Sequence, residues 1–493
     1  MRRARAPDME SHFVQIQSLR SHGLITETII VEALRSQGLS QLQVCGMPNA
    51  WLKDAVAKLR SLALRTHTWG PMTKILVNLL PTDEEKSGAH LELPILLGTL
   101  IALDERTFST AFKRKIARHY FVGALSLDGR ILPTSLSRIF EEQSPRLVLG
   151  PSRFRTLAEL WAFLLDDERA EPPLPGPRAV LPLAPETEGV LVRGRYFERF
   201  WIYAASLARL PVLLVGPPGI GKSHLARWAH GLLEVESAAR QMEIDQIHRI
   251  AQLDLPARGL APLMETHSAT ELSELIGVQR AGTLRPGLLS LAHGGSLILD
   301  EFAEMHSDAR EIFRTVLDLK KIRRNTTTGA VVWPADFWLF LTCNPCRCGN
   351  LLGLDSSRCR CTENERARYR SRISGPLFDR MGLKLFLQSV GETAGFFERL
   401  QGFNPAILDD PEQLRLLAKT AVARLPDLRA SSEERLRNHS HFSSTNERTR
   451  SLKTQLFAAM RALGVGEDCA LPLLAELHRG ESEIWPAPGP RGL

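Results

Sequence analysis

The stretch Gly216-Pro217-Pro218-Gly219-Ile220-Gly221-Lys222-Ser223 fits the complete G-x-x-x-x-G-K-[ST] pattern of a phosphate-binding loop. The apolar residues 210–215 before it are typical of a buried strand, and residues 224–233 after it of a helix. Backbone N–H groups and a helix N-terminus then converge on one point. Lys222 is expected to reach the β- and γ-phosphates of ATP, and Ser223 to bind Mg²⁺. The alternative is a chance glycine turn between a strand and a helix.

A second apolar strand, residues 296–299, ends in the carboxylates Asp300 and Glu301. Asp300 is expected to anchor Mg²⁺, and Glu301 to polarise the attacking water. Taken alone, such a strand end is common in α/β proteins and is often only a capped terminus. Its combination with the phosphate-binding loop favours catalysis, because the two motifs together supply the cation ligands and the base that phosphoryl transfer needs.

Two later residues are candidates for completing the site. Asn344 follows the apolar strand 337–342, where a parallel sheet exposes its ligand side, and is predicted to orient the hydrolytic water. The alternative is a turn formed by Asn344-Pro345. Arg380 follows a short helical segment and is predicted to act as an arginine finger on a neighbouring subunit's γ-phosphate. An isolated arginine is otherwise a solvated surface group.

Length and composition indicate a globular protein with several domains. The chain has 493 residues, which is more than the roughly 100–200 residues of a typical single domain. Its hydrophobic content of 44% and charged content of 24% are ordinary for globular proteins. It contains no apolar run of membrane-spanning length and begins with a polar segment, so we expect a cytoplasmic protein without membrane contact. The net charge of +7 permits a nucleic acid partner without requiring one.

The pattern along the chain predicts an α/β fold in three parts. Residues 1–165 mix strands and helices as an α+β domain, and residues 166–189 form a linker with six prolines. Residues 190–390 alternate strands with helices, as in a nucleotide-binding core with a parallel sheet. Residues 391–480 have the spacing of a helical lid, and 481–493 form a flexible tail. The predicted strands are 28–31, 43–45, 74–79, 212–215, 296–299 and 338–342, and the predicted helices are 51–64, 93–102, 411–423 and 447–463.

Seven cysteines, five of them within the loop 343–361, do not resemble a secreted disulfide framework. Cys346, Cys348, Cys359 and Cys361 form two C-x-C pairs that can bind one structural Zn²⁺ tetrahedrally. The alternatives are reduced thiols in an unliganded loop, or an iron–sulfur cluster. Cys343 is expected to be a packing residue.

Two basic clusters predict contact with a DNA backbone. One cluster surrounds the cysteine loop, and the other precedes a predicted hairpin around 325–333. The alternative for both is a solvated face or intersubunit salt bridges. The first cluster comprises Arg358, Arg360, Arg366, Arg368, Arg370 and Arg372, and the second Lys320, Lys321, Arg323 and Arg324.

The order of these motifs resembles the magnesium-chelatase-like AAA+ ATPases, and in particular their competence-associated ComM (YifB) branch. The resemblance is carried by residues 216–223, 285–295, 300–301, 343–346 and 374–380. It implies a P-loop AAA+ core, similar to the ChlI subunit of the chelatase, with ATP-handling roles for the residues at the family's positions. Those residues are Lys222, Ser223, Asp300, Glu301, Asn344 and Arg380.

The N-terminal residues resemble the ribosomal-S5-like, Lon-protease-like domain that precedes the ATPase in this branch. The matching segments are 46–50, 79–81, 86–88, 93–95 and 123–129. Neither Lys86 nor Ser87 has a catalytic partner in sequence, so no peptidase activity is expected.

The chain departs from the family pattern in two places. The family's Pro-Phe-Arg-x-Pro-His-His segment appears here as residues 262–268, without the arginine and with only His267 of the two histidines. In the lid, Asn446 stands where the sensor arginine is expected, and Arg448 or Arg450 are the candidates to replace it.

The resemblance implies a homo-oligomeric ring, a hexamer, that couples ATP hydrolysis to movement on single-stranded or branched DNA. Helicase or branch-migration activity in recombination or transformation is the leading hypothesis. One alternative is the ATPase subunit of a metal chelatase, which would drive insertion of a cation into a tetrapyrrole. Another is a nucleotide-gated interaction scaffold with weak turnover.

Overall fold

The structure is a computed structural model that carries no ligand. It describes residues 13–22, 24–46, 50–67, 69–82, 88–169, 171–172, 192, 194–233, 237–253, 260–280, 283–326, 329–353, 355–388, 405–438, 442 and 446–485.

The N-terminal part is built on a six-stranded sheet whose order is β3-β4-β2-β1-β5-β8. Strand β2 alternates buried and half-exposed residues, because one of its faces packs against the wholly buried helix α2. The strands of the N-terminal part are β1 (Phe13–His22), β2 (Ile25–Gln37), β3 (Gln41–Cys45), β4 (Thr73–Leu80), β5 (Tyr120–Phe121), β6 (Ala124–Leu125), β7 (Ile131–Leu132) and β8 (Val148–Leu149). Strands β6 and β7 pair with each other as a separate hairpin. Its helices are α1 (Ala50–Thr66), α2 (Glu92–Leu103), α3 (Thr110–Arg118), α4 (Ser135–Gln143) and α5 (Leu157–Leu165).

The central part is built on a five-stranded parallel sheet of order β10-β13-β16-β9-β17. This confirms the predicted α/β core. Its strands are β9 (Val212–Val215), β10 (Leu263–Thr266), β13 (Ser296–Leu299), β16 (Trp338–Cys343) and β17 (Leu383–Phe386). Two hairpins accompany the sheet, β11 (Val278–Arg280) with β12 (Thr283–Arg285) and β14 (Lys321–Thr326) with β15 (Gly329–Pro334).

Helices α6 to α13 connect these strands. They are α6 (Tyr196–Leu207), α7 (Lys222–His230), α8 (Ala238–Ala251), α9 (Leu272–Ile276), α10 (Leu288–Leu291), α11 (Ser307–Leu319), α12 (Glu363–Arg370) and α13 (Gly375–Phe378). Short 3-10 turns lie at Ala89–Leu91, Phe302–Glu304, Ser356–Arg358 and Pro405–Asp409.

The C-terminal part consists of the helices α14 (Pro411–Asn438), α15 (Glu447–Ala462) and α16 (Glu467–Ile484). Helix α14 continues past the predicted end at residue 423 and contains Pro426, because its packing along α15 outweighs the proline's preference for ending a helix. Residues 389–404, the start of the predicted lid, lie outside the described residues.

The predicted flexible tail from residue 481 is wrong at its start. Glu481 is buried in α16 and forms ion pairs with Lys453 and Lys384. Trp485 is 6% exposed, and its ring stacks on Phe378 with the ring centroids 6.0 Å apart. Burial of an ionic group and an aromatic ring anchors this segment, and the remaining residues 486–493 lie outside the described part of the chain.

The predicted linker also begins later than residue 166. Lys115 donates to the carbonyl of Asp166 at 2.7 Å, and Glu171 pairs with His119 and Arg153 at 3.0 and 3.2 Å. These contacts hold the first linker residues on the N-terminal sheet. Residues 173–189 lie outside the described residues.

The N-terminal part contacts the central part through α4 and α8. Gln143 donates to the side chain of Gln246 at 3.2 Å, and Gln246 donates to the carbonyl of Leu24 at 3.1 Å. No helix in the described ranges is both long and apolar enough to cross a membrane.

Candidate functional site

A cavity of about 500 Å³ opens at the carboxyl ends of β9, β13 and β16. This is the edge of a parallel sheet where α/β proteins bind ligands. The phosphate-binding loop forms one wall, and the ends of β13 and β16 form another. The lining residues are Pro218, Gly219, Ile220, Gly221, Lys222, Ser223, His224, Arg227, Asp300, Glu301, Thr342, Cys343 and Asn344.

The phosphate-binding loop requires two of its glycines for their backbone conformation. Gly219 and Gly221 have φ values of 76° and 95°, in the left-handed region that other residues rarely adopt. Helix α7 begins at Lys222, two residues earlier than predicted, with Gly221 as its N-cap. The first N–H groups of a helix have no partner within it, and here they adjoin the cavity as an anion site requires.

Lys222 lies in the cavity wall with three hydrogen-bond acceptors. Its Nζ donates to the carbonyls of Gly216 and Pro217 at 2.8 and 3.0 Å, and to Oδ1 of Asn344 at 3.1 Å. Burial lowers the pKa of Lys222, and the carboxylates of Asp300 and Glu301 oppose this effect. Gly216 and Pro217 therefore support the lysine rather than line the cavity. The structure also brings Asn344 to Lys222, so two predicted residues from separate motifs meet.

Ser223 and Asp300 lie together, as a shared Mg²⁺ site requires. The hydroxyl of Ser223 donates to Oδ2 of Asp300 at 3.2 Å, and the other carboxylate oxygen accepts from Thr342. Hydroxyl and carboxylate oxygens are hard ligands that suit Mg²⁺. Thr342 was missed in the sequence. The available signal was its position near the end of β16, which pairs with β13. Neighbouring parallel strands end at the same edge of a sheet, so Thr342 is expected near Asp300.

Glu301 lines the cavity from a left-handed backbone conformation with φ of 52°. A non-glycine residue in this region is uncommon, and such residues concentrate at functional sites. Its backbone N–H donates to the hydroxyl of Thr342 at 3.3 Å, and the hydroxyl of Ser268 donates to its Oε2 at 3.4 Å. Ser268 belongs to the segment that departs from the family pattern, and no sequence motif predicts this contact.

Arg380 does not line the cavity of its own chain. Its Nε and Nη2 donate to the two carboxylate oxygens of Asp318 at 3.2 and 2.6 Å. The arginine that does line the cavity is Arg227, which forms a two-point ion pair with Glu265 at 2.7 and 2.8 Å.

The C-terminal helices, which were predicted to form a lid, contact the Arg380 region instead of the cavity. Asn446 caps α15 and donates to Asp379 at 3.2 Å, and Arg448 bonds to Asp318. Arg450 donates to the carbonyl of Phe442 at 3.3 Å. No described residue between 405 and 485 lines the cavity.

The four cysteines of the two C-x-C pairs lie within one cluster. Their sulfur atoms all lie within 4.8 Å of one another, and three of the separations are 3.4, 3.6 and 3.7 Å. A tetrahedral ion with Zn–S bonds of about 2.3 Å places its sulfurs about 3.8 Å apart, so the cluster fits zinc. The cysteine loop also touches the phosphate-binding loop, because a Cβ added to Gly349 would lie 2.7 Å from Cδ of Pro218.

Cys343 is fully buried in the cavity wall, in agreement with its expected packing role. Burial raises the pKa of its thiol to about 12, which the ammonium of Lys222 opposes. The thiol therefore stays protonated near neutral pH.

The two basic clusters differ in how many of their side chains form ion pairs within the chain. The predicted hairpin is present, with Lys321 and Arg323 exposed, while Lys320 pairs with Asp336 at 3.0 Å. In the cysteine-loop cluster most arginines form ion pairs within the chain. Arg358 pairs with Asp355, Arg366 and Arg370 with Glu363, and Arg372 with Glu304. Ion pairs within the chain therefore account for much of the positive charge of the cysteine-loop cluster.

Only residues 88–90 of the segment 86–90, which resembles the Lon-like turn, lie within the described part of the chain. Lys86 and Ser87 lie outside the described part of the chain, as do residues 47–49 of the first N-terminal segment. His90 is fully buried, with its ring 5.6 Å from that of Phe140. Burial lowers the pKa of His90 to about 4.

Comparison with known proteins gives two family matches. Residues 192–394 match the family described as magnesium chelatase, subunit ChlI, and residues 31–139 match the one described as subunit ChlI of Mg-chelatase. The uncharacterised protein YifB of Escherichia coli is 29% identical over 384 residues, 74% of this chain and 73% of that protein. Competence protein ComM of Haemophilus influenzae is 26% identical over 405 residues, 75% of each chain. An uncharacterised protein of Mycobacterium tuberculosis is 29% identical over 409 residues, 78% of each.

Proposed function

Because this chain belongs to the magnesium-chelatase-like family that includes YifB and ComM, we propose that it is an AAA+ ATPase that moves on DNA as a ring. The observation that carries the ATPase proposal is the convergence of five groups on one cavity. They come from three separate segments of sequence and supply a cation ligand set, a base and a phosphate-binding ammonium. The groups are Lys222, Ser223, Asp300, Glu301 and Asn344.

Each group has a role that its position supports. The ammonium of Lys222 exchanges its carbonyl partners for β- and γ-phosphate oxygens. Ser223 and Asp300 hold Mg²⁺, which neutralises charge on the β- and γ-phosphates when it is bound. Glu301 accepts the proton of a water whose oxygen attacks the γ-phosphorus, and ADP leaves with the electrons of the broken P–O bond. Asn344 orients that water.

The ring part of the proposal rests on Arg380. This side chain is fixed on Asp318 outside its own cavity, so it reaches a γ-phosphate only in another subunit. Hydrolysis is then a property of the assembly, and an isolated chain hydrolyses ATP poorly. Six subunits is the number that the family resemblance implies.

The DNA part of the proposal rests on the hairpin β14–β15. Lys321 and Arg323 are exposed on it, and such cations follow a phosphate backbone without reading sequence. The relative ComM is named a competence protein, which agrees with DNA as the substrate.

Single-stranded and branched DNA are expected to raise ATP turnover of the full chain. The variant Lys321→Ala/Arg323→Ala should weaken DNA binding and reduce this stimulation. If two phosphate contacts are lost on a single strand, the slope of log affinity against log salt concentration falls by about 1.4. Steady-state turnover and a salt titration of DNA affinity measure both effects.

Lys113→Ala/Arg114→Ala, which removes two exposed charges from α3, is the matched control and should change neither quantity. Turnover that no DNA affects would contradict the motor and favour a metal-chelatase subunit. ATP binding without turnover would favour the nucleotide-gated scaffold.

We also propose that the four-cysteine cluster holds one structural Zn²⁺. The sulfur separations suit a single tetrahedral ion, and none of the four cysteines forms a disulfide. The ion would tie Cys346, two residues after Asn344, to the distant pair Cys359 and Cys361. It would thereby fix the loop that packs against Pro218.

Metal analysis of the purified chain is expected to find about one zinc ion per chain. Cys346→Ser/Cys348→Ser should lose the ion and unfold at lower denaturant concentration, because metal binding contributes to folding free energy. Cys469→Ser, outside the cluster, is the control and should keep the zinc. Folded wild-type protein without metal would contradict the proposal, and iron with a visible absorption band would indicate an iron–sulfur cluster instead.

A further inference from the structure

The carboxylate of Asp318, near the end of α11, joins two arginines from distant parts of the sequence. Arg380 contacts it through Nε and Nη2, and Arg448 of the lid contacts it through both Nη atoms. The two arginines lie 62 and 130 residues from Asp318 along the chain. The bonds from Arg380, followed by those from Arg448, hold the pKa of Asp318 down at about 2. The carboxylate is therefore ionised near neutral pH.

The lid also holds the residues beside Arg380. Asn446, two residues before Arg448, donates to Asp379, and Trp485 at the end of α16 stacks on Phe378. Residues 378–380 are thus contacted by the beginning of one lid helix and by the residue after the end of another. The position of the lid is coupled directly to the segment that carries Arg380.

The exposure of the two arginines leaves them accessible to a second molecule. The side chain of Arg448 is 44% exposed and that of Arg380 is 15% exposed. Neither lines the cavity of its own chain. A guanidinium offers five N–H donors in a planar fork. Arg380 donates from Nε and Nη2 to Asp318 and from Nη1 to the carbonyl of Pro376 at 2.6 Å, so the second N–H of each Nη atom is left for a phosphate.

We propose that Asp318 is a positioning residue that aims Arg380 and Arg448 together at the γ-phosphate of ATP bound to a second copy of this chain. Arg448 then supplies the lid arginine that Asn446 cannot. This inference rests on the proposed ATPase function and adds to it a second arginine and the carboxylate that fixes both. Because the guanidinium groups are already fixed before ATP binds, no further side-chain entropy is lost in ordering them during hydrolysis.

The variants Asp318→Ala and Arg448→Ala test the proposal. Each is expected to lower kcat by about tenfold to a hundredfold, because misplacing a positioned group by about 1 Å costs this much. ATP affinity should change less than kcat, because an arginine at the γ-phosphate acts mainly on the charge of the transition state. Arg448→Lys should not restore kcat, because an ammonium lacks the planar fork. Asp308→Ala, an exposed carboxylate on the same helix, is the control and should keep the wild-type kcat.

A mixing experiment separates positioning from a general structural defect. The Asp318→Ala variant keeps an intact cavity, whereas the Lys222→Ala variant keeps Arg380 and Arg448 fixed on Asp318. Each variant alone should hydrolyse little ATP. Mixed assemblies should regain turnover, because a cavity of the first can face the arginines of the second. Wild-type kcat in Asp318→Ala and Arg448→Ala, or a mixture no more active than the sum of its parts, would overturn the inference. Wild-type protein without ATP turnover would instead refute the proposed function on which it rests.

Discussion

Glu301→Gln is expected to reduce ATP turnover by roughly a hundredfold or more while ATP binding stays nearly unchanged. Glutamine has the size of glutamate but cannot take a proton from water. The backbone N–H of residue 301 still reaches Thr342, so the cavity wall is preserved. Lys222 and Ser223, which are expected to bind the nucleotide and Mg²⁺, form their hydrogen bonds with other groups. Steady-state turnover and the Kd of a fluorescent ATP analogue measure the two quantities separately.

Glu311→Gln is the control for this variant. It removes an exposed carboxylate on α11 that pairs only with Arg314 among the described residues, so turnover should not change. A Glu301→Gln protein that hydrolyses ATP at the wild-type rate would show that another group acts as the base. A parallel loss of ATP binding would show that Glu301 holds the nucleotide rather than the water.

Glu481→Ala is expected to lower the free energy of unfolding by about 3–5 kcal/mol. Glu481 accepts from Lys453 and pairs with Lys384 at 3.8 Å, and these lysine side chains are 1% and 3% exposed. Removing the carboxylate leaves two buried ammonium groups without their counter-charge. Urea unfolding followed by circular dichroism measures the change, and Glu434→Ala, an exposed carboxylate on α14, is the control.

The pH dependence of stability provides a further readout of Glu481. Burial alone would raise its pKa, but Lys453 and Lys384 outweigh burial and lower it from 4.5 to about 2. A depressed carboxyl pKa stabilises the folded state above the unfolded pKa, and this contribution is lost as the pH falls from about 4.5 towards 2. The alanine variant should lose less stability than the wild type over that range. Equal acid sensitivity and equal urea midpoints in both proteins would contradict the role of this ion pair.

The sequence predicted the parts of the molecule whose signals are local. The phosphate-binding loop and the Asp300-Glu301 strand end are short motifs, and β9, β13 and β16 are uninterrupted apolar runs. The candidate site residues therefore came largely from the sequence. The structure places Lys222, Ser223, Asp300, Glu301 and Asn344 around one cavity, whereas Arg380 lies outside it.

The parts that were missed depend on contacts between distant residues. Strand β17 contains Lys384, and a charged residue is not typical of a buried strand. The structure shows that Lys384 is buried because it pairs with Glu481. The same pair explains why the tail begins later than predicted. The shared contact of Arg380 and Arg448 with Asp318 was equally hidden, because ion pairs across more than sixty residues leave no periodic pattern in sequence.

The contact between Gly349 and Pro218 has a practical consequence for enzyme assays. The cysteine loop contacts the phosphate-binding loop, so the proposed zinc ion and a bound nucleotide are expected to influence one another. EDTA, the usual means of stopping a Mg²⁺-dependent ATPase, would remove both the Mg²⁺ of the nucleotide cavity and the proposed zinc ion. A zinc-selective chelator used with excess Mg²⁺ would distinguish the loss of Mg²⁺ from the loss of zinc.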